Sequence, residues 1–143
     1  MIKNNKYFSK ISFDLINAIL IFIYLYSFID KLKNFQEFVS NLSKSPYLNT
    51  INSLFLAVVV LFFEIFIPIF LFFDKSKELG YLLSFLMIFS FTGYIVIMMV
   101  YSPYLPCSCG GFIESLSWEG HLFLNLFILF ISAIAYLNYS KNT

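Results

Sequence analysis

The chain holds two cysteines, Cys107 and Cys109, one residue apart in the segment Pro103-Tyr104-Leu105-Pro106-Cys107-Ser108-Cys109-Gly110-Gly111. Cysteines placed for packing fall singly inside helices. A pair sharing one loop broken by two prolines and a glycine pair points instead to a disulfide or a dithiol. A ring closed over one intervening residue departs from preferred disulfide geometry, and such strain makes the bond easier to reduce. Gly110 and Gly111 give the backbone the freedom that turn needs and leave the sulfurs uncovered. Thiol–disulfide exchange is the chemistry this arrangement suits. A structural bridge and a soft-metal site remain open beside it, although Cys107, Cys109 and His121 supply only three nitrogen or sulfur ligands, and no metal is assigned.

Three further positions stand out. His121, the sole histidine, falls in the first turns of an apolar run that Ser117 could cap and that Glu119 enters as an early acid. A helix N-terminus and a protonated imidazole both lower the pKa of a nearby thiol, so Ser117 and His121 could activate Cys107 or Cys109. Equally, Trp118 and His121 could mark the membrane interface. Glu64 lies in the middle of another apolar run, where a carboxylate is costly. Pro68, four residues on, cannot donate to the Glu64 carbonyl. The resulting polar notch could take a proton, a quinone headgroup, or a neighbour such as Asn17, Ser90 or Thr92. An inter-helix hydrogen bond with no further role is the competing explanation. Asp30 and Lys31 read as an anchor pair at the end of the first run or as a site.

The elements that must position these groups are membrane helices. Of 143 residues 60% are hydrophobic, with 20 Phe and 10 Tyr, and only 12% are charged, about half the usual share of a soluble domain. The formal charge of +1, without a single Arg, offers no surface for nucleic acid. Charges gather at the ends and in connecting stretches. Between them run four segments of the length a bilayer crossing requires, at about residues 11–29, 54–73, 79–101 and 118–137. They are continuous rather than alternating, which excludes a β-barrel. The expected architecture is all-α, a four-helix integral membrane bundle forming one domain over residues 1–143.

The first run follows Lys3, Lys6 and Lys10 as a signal peptide would, but no small-residue cleavage site follows it; it is read as a retained span. Apolar residues at Leu32, Phe35, Phe38, Val39 and Leu42 have helical spacing, which predicts a short amphipathic helix after the first span. Residues 74–78 leave room only for a turn. Asn17, Ser90, Thr92 and Gly93 are small or polar positions that allow close helix packing. With the N-terminus inside, six lysines fall on the cytoplasmic side and three on the other. Both termini are therefore expected in the cytoplasm and both cysteines outside it.

Four spans, Phe28-Ile29-Asp30-Lys31-Leu32 closing the first, a glutamate within the second and Pro106-Cys107-Ser108-Cys109-Gly110-Gly111 followed by Leu116-Ser117-Trp118-x-x-His121 before the fourth resemble the MauE/DoxX-like redox-associated membrane proteins, and more narrowly the methylamine utilisation protein MauE family. The resemblance covers nearly the whole chain. It implies an inner-membrane protein supporting disulfide formation in exported partners, a thioredoxin-like carrier or a cysteine-rich substrate protein, with Cys107 and Cys109 as the redox pair. The DoxX branch implies a membrane quinone as the electron acceptor. It gives no established role to Glu64 or His121.

Overall fold

The computed structural model describes residues 2–45, 52–101 and 118–142. Helix α1 spans Ile2–Lys33, α2 Phe35–Ser43, α3 Ser53–Phe72, α4 Lys77–Tyr101 and α5 Trp118–Asn142, with a 3-10 turn at Asp74–Ser76 between α3 and α4. No strand occurs among the described residues. Four stretches are long and apolar enough to cross a bilayer: Ser12–Lys33, Ser53–Phe72, Asp74–Tyr101 and Glu119–Tyr139. The chain is thus an all-α, multi-pass membrane protein.

α3 packs between α1 and α4, α4 packs on α5, and α5 touches α1 to close the ring. The side chains are sorted by solvent in the manner of a membrane protein. Phe22, Phe55, Phe72, Phe123 and Phe130 point outward, where lipid takes the place of water and each backbone polar group is satisfied within its own helix. The interior is where the polar groups collect. Glu64, Ser84, Thr92 and Ser132 are buried beside Leu20, Tyr24, Ile67, Leu71 and Ile128. Because lipid tails are as apolar as Leu, close packing and interhelical hydrogen bonds carry the association of the spans.

α1 is longer than its apolar run at both ends: the helix continues through Lys3, Lys6 and Lys10, and past Asp30 to Lys33. Lysine is a good helix former and nothing in these flanks breaks the hydrogen-bond ladder. At Asn34 the chain turns into α2, the short amphipathic helix, whose Phe38 and Leu42 bury against Ala57 near the start of α3. Asn52 caps α3, its Oδ1 accepting from the Leu54 N–H at 3.0 Å. Pro68 is buried inside α3, and the helix runs through it without a break.

One end of the bundle is closed by hydrogen bonds to the carbonyls that finish α3. The last four carbonyls of a helix have no partner in the helix itself. Asn17 of α1 donates to the Leu71 carbonyl at 3.1 Å, and the Ser76 hydroxyl lies 3.1 Å from that of Phe70. The Tyr139 hydroxyl of α5 donates to the Asp74 carbonyl at 2.7 Å. Tyr81 reaches Asn17 Oδ1 at 3.4 Å and packs edge-on to Tyr139. Gly80 is required here: a Cβ on it would lie 3.0 Å from the Leu71 backbone nitrogen and 2.8 Å from its Cδ2. Gly93, expected to serve close packing, faces open space. The small residues buried between helices are Ala57, Gly80, Ser84, Ser132 and Ala135.

Candidate functional site

Five residues of α1 recur at spacings of three and four: Asn17, Leu20, Tyr24, Ser27 and Lys31. Such residues share one helix face, and here that face looks into the bundle. Every polar group on it meets a partner from another helix. Tyr24 lies 3.0 Å from Ser84 Oγ and 3.2 Å from the Ser84 carbonyl on α4, and Ser84 Oγ lies 3.0 Å from Ser132 Oγ on α5. These three hydroxyls tie α1, α4 and α5 together in the buried centre.

One turn further along the same face is the charged part of the interior. Lys31 Nζ lies 2.6 Å from Glu64 Oε1, and the Ser27 hydroxyl donates to the same oxygen at 2.9 Å. Lys31 also donates to Ser27 Oγ, its neighbour one turn back. The Glu64 side chain is 4% exposed and that of Lys31 12%. Aromatic rings flank the ammonium: the Phe38 centroid of α2 at 5.7 Å and the Phe91 centroid of α4 at 6.0 Å. Helices α1, α2, α3 and α4 therefore meet at one ion pair. Two buried opposite charges compensate one another, and removing one partner strands the other at a cost of about 3–5 kcal/mol.

The pair is unevenly satisfied. Oε1 of Glu64 takes both donors, whereas Oε2 is buried with no hydrogen-bond partner among the described residues. A carboxylate can accept on both oxygens, and a buried acceptor left empty is costly. Ser27, Lys31 and Glu64 thus hold a spare acceptor inside the membrane.

The structure alters the sequence expectations for this region. Glu64 is paired with Ser27 and Lys31, not with Asn17, Ser90 or Thr92. Asn17 is spent on the Leu71 carbonyl; the Ser90 and Thr92 hydroxyls donate back to Leu86 and Ile88 in their own helix. Lys31 serves as an inward-reaching counter-ion instead of an anchor beside Asp30. The signal that could have found it is the spacing that puts Asn17, Tyr24, Ser27 and Lys31 on one helix face.

Of the other candidates, His121 is half-buried in the first turn of α5 and Glu119 is exposed there. Cys107, Cys109, Gly110, Gly111 and Ser117 lie outside the described residues. The helices that carry their segment are α4, ending at Tyr101, and α5, beginning at Trp118. The α4 end also receives the chain after α2, where the Ser45 hydroxyl donates to Met98 Sδ at 3.8 Å. Phe91 stands ten residues before Tyr101, so about 15 Å of helix separates the ion pair from the start of the cysteine segment. Among the described residues no group of three or more His, Cys, Asp or Glu could hold a metal ion.

Fold and interior together define a small multi-pass helical membrane protein built around a buried Lys–Glu pair. The chain matches the family described as Methylamine utilisation protein MauE over residues 9–138, and it belongs to that family. No curated protein and no solved structure matches it.

Proposed function

We propose that this protein is a membrane thiol–disulfide redox protein, a single domain over residues 1–143, that supports disulfide formation or maturation of an exported partner through Cys107 and Cys109. The observation that carries the reading is a MauE-family chain whose two cysteines stand one residue apart in the segment joining two membrane-spanning helices. In this scheme the protein sits in the cytoplasmic membrane with both termini inside and the cysteine segment outside, as the lysine distribution favours. A thiolate of a thioredoxin-like carrier or a cysteine-rich protein attacks one sulfur of the Cys107–Cys109 disulfide, and a mixed disulfide forms. The carrier's second thiol then resolves it, leaving the partner oxidised and the pair reduced. The electron pair passes on to an acceptor in the membrane. Ser117 and His121, the latter in the first turn of α5, are the groups that would hold Cys107 or Cys109 as thiolate.

A membrane-impermeant, mass-adding maleimide applied to intact cells tests this. Cys107 and Cys109 take up label after brief reductant, and also when respiration is blocked, because the pair then has no outlet for its electrons. A pair that stays oxidised with respiration blocked and resists mild reductant points to a structural bridge in a docking subunit. Copper or zinc that co-purifies in stoichiometric amount and is lost in Cys107→Ser points to metal handling.

A further inference from the structure

Oxidising a dithiol to a disulfide releases two electrons together with two protons, so the acceptor that drains Cys107 and Cys109 must take up both. This inference rests on the redox reading above. When bound, a quinone supplies a lipid-soluble ring that accepts two electrons and two protons at its two oxygens. We infer that Lys31 and Glu64, steadied by Ser27, form the binding site for the headgroup of such a quinone.

The donor set fits both oxidation states of that ring. Lys31 carries three N–H donors; Glu64 and Ser27 engage two of them, leaving one for a ring carbonyl. Glu64 Oε2 is buried and without a partner among the described residues, and it accepts from a ring hydroxyl. Side by side, the spare donor recognises the oxidised headgroup and the spare acceptor the reduced one. Neither alone distinguishes a quinone from any other polar lipid. Phe38 and Phe91, flanking Lys31 on α2 and α4, give an aromatic wall for an apolar ring. Lys31 is the more exposed of the pair, so the headgroup enters along its side chain.

In the transfer, Cys107 and Cys109 each give up the proton of an S–H bond and form the S–S bond. A quinone held by Lys31, Ser27 and Glu64 would supply the acceptor for their electron pair and for the two protons. Lys31 would hold the near ring oxygen and donate a proton to it, one of the two protons released by the thiols would restore the ammonium, and Glu64 stays ionised as its counter-ion.

Because buried ion pairs also hold helices together, the test separates binding from scaffolding. Replacing both charges by apolar residues of similar volume is often neutral for stability, so Lys31→Met/Glu64→Met should fold as the wild type does. Each protein is placed in lipid nanodiscs, in its oxidised form, with decylubiquinone as the probe. At saturating probe the wild-type Tm is expected to rise by roughly 5 °C, as for any ligand that binds only the folded state, and that of the double variant not to rise. Glu64→Gln, which keeps shape and volume but offers an amide N–H in place of Oε2, is the second variant; it loses the shift given by the reduced probe. In the redox arm, reduced wild-type protein yields one quinol for each disulfide, and Glu64→Gln slows this about 100-fold. A Tm shift of equal size in the double variant, or none in the wild type, overturns the site. If wild-type protein binds the probe but its cysteines never exchange with a dithiol carrier, the site stands and the thiol–disulfide reading falls.

Discussion

Two polar regions of the same bundle are built on opposite rules. Around Asn17, Tyr81 and Tyr139 the interior groups are neutral, the neighbouring Lys77–Asp74 pair having its carboxylate exposed, and the side chains from α1 and α5 are spent on backbone carbonyls at and after the end of α3. Around Lys31, Ser27 and Glu64 the groups are charged, and one carboxylate oxygen is left over. The first region finishes what helix ends leave undone, and its chemistry stops there. The second spends the cost of burying two charges and keeps an acceptor in reserve. A membrane interior tolerates polar groups for either purpose; complete satisfaction marks scaffolding, and a leftover acceptor marks a place for something else.

The largest expected effect lies in the charged region. Glu64→Ala leaves Lys31 buried without a counter-ion and should cost about 3–5 kcal/mol, measured by reversible unfolding in bicelles. Lys31→Met/Glu64→Met should recover most of that loss. If Glu64→Ala were as mild as the double variant, the pair would be solvated and the contrast between the regions would collapse. Next comes Gly80→Val at the neutral end. Its side chain meets the Leu71 backbone, so α3 and α4 must move apart, at about 1–3 kcal/mol. Asn17→Leu should follow at about 1 kcal/mol, through the stranded Leu71 carbonyl; a larger loss would mean that this end carries more than helix-end repair. Smallest is the Ser84–Ser132 contact, for which a double-mutant cycle with alanine should return a coupling of about 0.6 kcal/mol.

The four spans were legible in the sequence because a bilayer crossing needs a long uninterrupted apolar run, and chains rarely carry one for another reason. The short helix α2 was legible from the spacing of Phe35, Phe38, Val39 and Leu42. Glu64 was conspicuous because a lone carboxylate among Phe and Ile residues has no apolar explanation. Its partner was harder to see. A lysine at the end of a span reads as an anchor whose ammonium reaches out to the headgroups, and only the facing helix shows that Lys31 reaches inward. Ser90 and Thr92 illustrate the converse: hydroxyls in apolar helices readily bond to their own backbone one turn back, so their presence says little about neighbours. Gly80 and Gly93 look alike in the sequence, because a glycine's role depends on which helix lies opposite it.

The account's central claim is that Cys107 and Cys109 exchange with thiols of an exported protein, and mixed-disulfide trapping tests it most directly. Cys107→Ser and Cys109→Ser are each expressed in cells quenched with acid and alkylated, and adducts are resolved without reductant. One of the two variants should accumulate a disulfide-linked adduct with a cysteine-bearing exported protein, identified by mass spectrometry, while that protein's own disulfides form more slowly. No adduct in either variant, with normal oxidation of exported proteins in both, would contradict the claim.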